Sequence, residues 1–367
     1  MTKLILHVGL GKTGTTAFQD AIRDSFEPLR EAGFLCAGPR LKFAVPEGEE
    51  LEAQYLAGEP EHLASALASL EKAAASNPDV TTVIWSNETI GMAPDLPAVV
   101  QVIERFIDNS SLFKSLEIAI CLRRQDDWVE SAYRQWGLKH KMMQSRGIEA
   151  PEDWLDRNWD ALDYLGLYRI WAALGADRIR VLTYDDMRKA GGSVPFLCKV
   201  FEIPSNLILT EAMGEKNVSL GPAQSYLNAL HNGTHEGPVR PVEFGKVFQA
   251  YDLPELDDKN SSFVSTELRQ KVLDRCVADN DELAKLALGR DKLFGDFPVG
   301  GGTLYKNGNQ DALFYLSRIV GEQQKLIDDL SDQLTNEHAR RLRDLERPFY
   351  QLRKLRRRLR EKFGLDD

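Results

Sequence analysis

Leu4-Ile5-Leu6-His7-Val8-Gly9-Leu10-Gly11-Lys12-Thr13-Gly14-Thr15-Thr16 passes from a short apolar run into a glycine-rich turn that holds one lysine. The apolar run reads as a buried strand, and the residues beyond Thr15 have helical spacing. Glycines 9, 11 and 14 let the backbone curl until several N–H groups face one concavity. The positive end of the following helix and the charge of Lys12 add to the same field. A strand, glycine turn and helix in this order build an anion cradle, and a phosphate is the expected guest.

Outward from this motif, short aliphatic or β-branched runs at 3–8, 81–86, 116–122 and 178–184 read as strands separated by helical stretches. The helices are expected at 15–32, 62–75, 129–140, 164–174 and 194–201. Such alternation predicts an α/β fold, a P-loop-like three-layer domain with a central parallel sheet flanked by helices. Beyond about residue 205, segments 225–230 and 267–288 look helical but carry no motif. Gly300-Gly301-Gly302 marks a joint, so a main domain over 1–305 is expected to give way to a helical extension over 306–367. In that extension Leu316, Val320, Ile327, Leu330 and Leu334 follow 3–4 spacing with Gln323 on the seam. Leu342, Leu345, Phe349, Leu352, Leu355 and Leu359 resume it after a phase shift. A coiled coil with another chain, a hairpin folded back and a lone solvated helix all fit.

Composition narrows the class. With 43% hydrophobic residues and no apolar run near the length of a membrane span, the chain reads as a globular protein. Its start lacks a secretory signal pattern, and Cys36, Cys121, Cys198 and Cys276 show neither zinc-ligand spacing nor a disulfide framework. A cytoplasmic location follows as an expectation. Net charge is −10, yet residues 340–362 hold eleven Lys or Arg against three Asp or Glu. The acidic remainder is unsuited to nucleic acid. The segment 353–363, with leucines on one face and cations around them, suits an anionic membrane surface, which would place the protein peripherally at the inner membrane face, or an acidic partner.

A second chemical signal closes the third expected strand, where Arg123-Arg124 is followed by Asp127 and Ser131. Ligands of open α/β sheets bind at the carboxyl ends of strands. Arg123 and Ser131 are positioned to converge on a second phosphate, with Asp127 capping the helix or orienting the arginine. Gly11-Lys12-Thr13 also ends a nucleotide-binding P-loop pattern, but Leu6 stands where that pattern needs its first glycine. The strand ending in Arg123-Arg124 offers no metal-holding aspartate. No metal requirement is therefore expected.

Together these residues resemble the sulfotransferases that use 3′-phosphoadenosine 5′-phosphosulfate (PAPS), most closely the bacterial carbohydrate-type members. Gly11, Lys12, Thr13, Gly14, Thr15 and Thr16 are similar to the family's 5′-phosphosulfate loop, and Arg123 with Ser131 to its 3′-phosphate site. The likeness continues through Asp163-Tyr164, Trp171, residues 181–186 and Asn217-Val218-Ser219-Leu220. It implies sulfuryl transfer from PAPS to a hydroxyl or amine of a carbohydrate or glycolipid, with Lys12 stabilising the departing phosphate. It also implies a base just beyond the second expected strand, where Glu88 stands; His7 is the second candidate. Trp136, Lys139, His140, Lys141, Arg146, Trp154, Arg157 and Trp159 suit the acceptor side of a cleft. The rival readings are a nucleotide-dependent small-molecule kinase and a non-catalytic scaffold, and a homo-oligomer through the C-terminal helix is expected as a partner arrangement.

Overall fold

The computed structural model describes residues 2–39, 41, 44–45, 58–139, 148–209, 220–233, 250–251, 253–254, 256, 261–296, 298–300 and 302–363. Five strands form one parallel sheet: β1 (Thr2–His7), β2 (Phe34–Ala37), β3 (Thr82–Ser86), β4 (Phe113–Leu122) and β5 (Ile179–Thr183), in the order β2-β3-β1-β4-β5. β1 lies at the centre, with Leu4 paired to Val83 on one side and Leu116 on the other. From β1 the chain turns toward β3 and β2, whereas from β4 it turns toward β5. The crevice between the β1 and β4 ends is thus the point where strand order reverses.

The strands carry apolar side chains on both faces, as burial on both sides demands. Leu4, Leu6, Val83, Trp85, Ile118 and Ile120 face one core, which is filled by α3 (Pro60–Ala75), α5 (Leu96–Asn109) and α8 (Tyr164–Trp171). Ile5, Cys36, Ile84, Ala119 and Cys121 face the other, against α1 (Thr16–Asp24), α2 (Phe26–Glu31), α9 (Tyr184–Lys189) and α10 (Ser193–Val200). A third cluster joins α6 (Gln125–Ala132), the π-helical turn Tyr133–Lys139 and α7 (Pro151–Arg157) to α11 (Pro222–Gly233) and α12 (Thr266–Leu288). The short α4 (Glu88–Gly91) follows β3 directly.

The expected sheet is present, and it has one strand more than the sequence reading gave. The additional strand is β2, whose four residues after Gly33, which has φ +89°, show no periodicity. The expected helix over 15–32 breaks at Ser25, whose Oγ accepts from the distant Leu209 amide (2.9 Å). α5, a helix beyond those expected, starts after Asp95, whose carboxylate accepts from Ala98 N (3.1 Å), with Pro97 in its first turn.

The contacts divide the chain into two units, Met1–Pro241 with Asp257–Lys306, and Val242–Leu256 with Asn307–Asp367. In the second, α13 (Gly308–Phe363) is one helix that continues through Pro348. That continuity corrects the folded-back hairpin: no turn interrupts the helix. Tyr315 Oη donates to Pro254 O (2.9 Å) within the same unit. No described helix is long and apolar enough to cross a membrane.

Candidate functional site at the β1 and β4 ends

The loop after β1 is fixed by its neighbours before any ligand arrives. Val8 N and Leu10 N donate to Ala119 O and Cys121 O, which continues β1 along β4. A Cβ on Gly9 would lie 2.8 Å from that of Cys121, so only glycine fits. Trp128 Nε1 donates to Gly11 O (3.0 Å), and Thr13 Oγ1 to Leu10 O (2.8 Å). Lys12 takes φ +69° and Gly14 φ +79°. For a lysine that left-handed backbone is uncommon, and such positions cost on the order of 1–3 kcal/mol and gather at ligand sites. Thr15 occupies the N-cap of α1 without a side-chain hydrogen bond to it. Thr13 and Thr15 are buried while Gly14 and Thr16 are exposed; of the loop hydroxyls, that of Thr16 is the one open to a guest.

At the β4 end the two adjacent arginines have separate fates. Arg124 is buried, and its guanidinium holds Asp126 through two bonds (Nε to Oδ1 2.7 Å, Nη2 to Oδ2 2.9 Å) and donates to Pro298 O (3.0 Å). It is a structural clamp. Arg123 turns to the β1 loop: Nη1 donates to Lys12 O (3.2 Å), and the guanidinium carbon stands 4.8 Å from the Tyr184 ring centre. Its Nε is buried with no hydrogen-bond partner in the described structure. A buried charged donor left open is costly unless something pairs with it. Asp127, expected to cap the helix or orient the arginine, is drawn instead to Arg269 (3.4 Å), a buried side chain on α12 that also reaches Glu130 (3.2 Å). The reason is proximity to a cation that the local sequence does not contain.

Lys12 feels this arrangement. Burial, then the charges of Arg123 and Lys139, hold its ammonium pKa below the ordinary lysine value, with Glu88 pulling the other way. Three cations and one carboxylate thus share one electrostatic neighbourhood, so an anion would relieve the excess positive charge.

Glu88 opens α4 just beyond β3. Asn87 serves as the cap, accepting from Thr89 N (3.1 Å), which leaves the Glu88 carboxylate out of the capping role. Gln19 Nε2 donates to Glu88 Oε2 (2.8 Å) and reaches Ser86 Oγ (3.2 Å). His7 is enclosed: Nδ1 lies 2.8 Å from Ser86 Oγ and Nε2 3.0 Å from Cys121 Sγ, and burial pushes its pKa down to about 4. With both ring nitrogens engaged in the interior, His7 has no free edge for a substrate. It positions Ser86, whose hydroxyl meets Gln19.

On α6, Ser131 is half-buried one turn beyond Trp128, on the same face. Trp136 stands so close to Gly11 that a Cβ there would lie 3.1 Å from its ring. Of the expected acceptor residues, Trp154 belongs to the third core, Arg157 is paired to Glu149 and Trp159 stacks under Arg275 (3.9 Å). His140, Lys141, Arg146 and the 217–219 segment lie outside the described residues. Trp171 is core, while Tyr164 Oη donates to Arg123 O (2.7 Å) and steadies the β4 end.

Sequence reasoning missed Gln19 beside Glu88 and Trp128 under the loop, and it included Tyr184 in the 181–186 likeness without giving it a role. Tyr184 follows β5 directly, so the rule that ligands gather at strand ends could have singled it out. Its ring also lies 3.0 Å from where a Gly14 Cβ would be. Comparison with family models, with curated proteins and with solved structures finds no match for this chain.

Proposed function

We propose that the protein is a PAPS-dependent sulfotransferase acting on a hydroxyl or amine of a carbohydrate or glycolipid. The observation that carries the reading is the Arg123 guanidinium reaching the Lys12 carbonyl between the β1 and β4 ends, close enough for its charge to act on the Lys12 ammonium, with an Arg123 nitrogen buried and unpaired. Two cations on adjoining strand ends, beside an uncapped helix start, suit a ligand with phosphates at both ends. PAPS, when bound, supplies the sulfuryl group. The α1 start with Thr16 and Lys12 would hold its 5′ end, and Arg123 with Ser131 its 3′-phosphate.

Lys12 has the right character for the departing side. Its ammonium, set among the charges of Arg123 and Lys139, would meet a developing negative charge with the type of preorganised stabilisation that weighs most in catalysis. Glu88 takes the acceptor proton, its carboxylate oriented by Gln19. The half-buried Trp136 and Lys139 offer the acceptor a ring edge and a charge near the same loop.

A nucleoside diphosphate is the second reading, because Arg123 lies so near the Lys12 carbonyl that one phosphate chain suits both. Calorimetry separates them. Tight binding of 3′,5′-adenosine bisphosphate, exceeding that of ADP with Mg²⁺, is expected; preference for ADP with Mg²⁺ overturns the sulfotransferase reading.

A further inference from the structure

The arm α13 leaves Leu330, Leu334, Leu345 and Phe349 exposed by 48%, 67%, 68% and 67%. Ile327 and Leu352 are exposed as well, at 58% and 61%. An apolar seam of this length does not stay in water without reason.

Charge indicates what covers it. Residues 308–339 hold six acidic against two basic residues, a net of −4, and residues 340–363 hold eleven basic against three acidic, a net of +8. A second copy laid parallel sets +8 against +8 and −4 against −4. Laid antiparallel, each acidic half meets a basic one. The side-chain pattern agrees. In one antiparallel register Leu334 faces Leu345, Leu330 faces Phe349, Ile327 faces Leu352 and Val320 faces Leu359, while the polar Gln323 falls opposite Arg356. Sliding by one heptad sets Gln323 against Phe349 and Leu316 against Arg356, so the polar layer selects the first register. The phase shift between Leu334 and Leu342 falls at the middle of the pairing, where both chains carry it at the same level and one local change of supercoil winding accommodates both.

We infer that α13 pairs antiparallel with α13 of a second copy, Leu334 against Leu345 and Gln323 against Arg356, in a two-fold coiled coil. The pairing is independent of the sulfotransferase reading, since it uses no residue of the crevice.

Light scattering and sedimentation on the full chain test it. A dimer that dissociates on dilution is expected, and Leu330→Asp with Leu345→Asp, both at exposed positions, is expected to yield monomers of unchanged helicity. Orientation is read by cross-linking single-cysteine variants, the four native thiols being buried. Ile327→Cys mixed with Leu352→Cys is expected to cross-link, and neither alone, because antiparallel pairing holds like positions roughly 35–40 Å apart. Cross-linking of Ile327→Cys with itself overturns the orientation. A chain that stays monomeric throughout the micromolar range overturns the inference, and its capture by phosphatidylserine vesicles would then assign the arm to a membrane surface.

Discussion

Arg123 reaches across from the end of β4 to the carbonyl oxygen of Lys12 at the end of β1, 3.2 Å away, and so joins the two strands that frame the crevice. Its neighbour Arg124 points into the protein to Asp126. Arg123→Ala is expected to weaken 3′,5′-adenosine bisphosphate binding by about 10–100-fold, the loss of one charge-assisted bond, with little change in melting temperature. Arg124→Ala leaves the buried Asp126 carboxylate to the more distant Arg269 (3.9 Å) and is expected to cost up to about 3–5 kcal/mol of stability. Calorimetry and denaturant titration on both variants check the contrast.

Lys12→Ala is expected to lower turnover by about 10²–10³, as removal of a preorganised charge partner does. Binding of 3′,5′-adenosine bisphosphate, which in the proposed reading Arg123 and Ser131 would also hold, is expected to fall far less. Release of that product from PAPS, followed with a panel of carbohydrate acceptors, measures the first quantity and calorimetry the second.

Glu88→Gln keeps the shape and removes the proposed proton acceptor. Donor binding within about twofold of the parent and a rate lowered by about 10²–10⁴ are expected. Unchanged turnover in this variant would remove Glu88 from the base role.

His7 links the core to pH. Its folded pKa of about 4 lies below the ordinary value of 6.5, so between the two the unfolded chain binds a proton that the folded chain refuses. Stability associated with neutral His7 is complete above about pH 6.5 and declines as pH falls toward 4, by on the order of a few kcal/mol. His7→Gln is expected to flatten this acid limb of the stability curve, recorded by urea denaturation at a series of pH values.

Gly91 gives a sharper structural test. A Cβ at this position would stand 1.8 Å from Val8 O, so Gly91→Ala must push α4 away from the β1 end. Destabilisation of more than about 2 kcal/mol, with Glu88 displaced and turnover reduced, is expected from denaturation and kinetics together.

What the sequence made legible was what depends on neighbours along the chain. β1, β3 and β4 could be read because their apolar runs are continuous, and the glycine turn because its conformation is local. β2 was too short to show a period, and the break at Ser25 depends on an amide from Leu209. In the crevice, Lys12 and Arg123 were readable as charges at strand ends. The different orientations of Arg123 and Arg124 were not, because they are set by Pro298, Tyr184 and the α12 residue Arg269, which draws Asp127 away. Glu88 was legible by position; its holder Gln19 lies on α1 and meets it only through the fold.

The indole of Trp128 donates to Gly11 O, and Trp136 packs over the same glycine. The crevice therefore carries its own optical probe. Any guest that shifts the Gly11 peptide alters the polarity around two indoles, so intrinsic fluorescence can follow occupancy in real time, without a label and before any acceptor is identified.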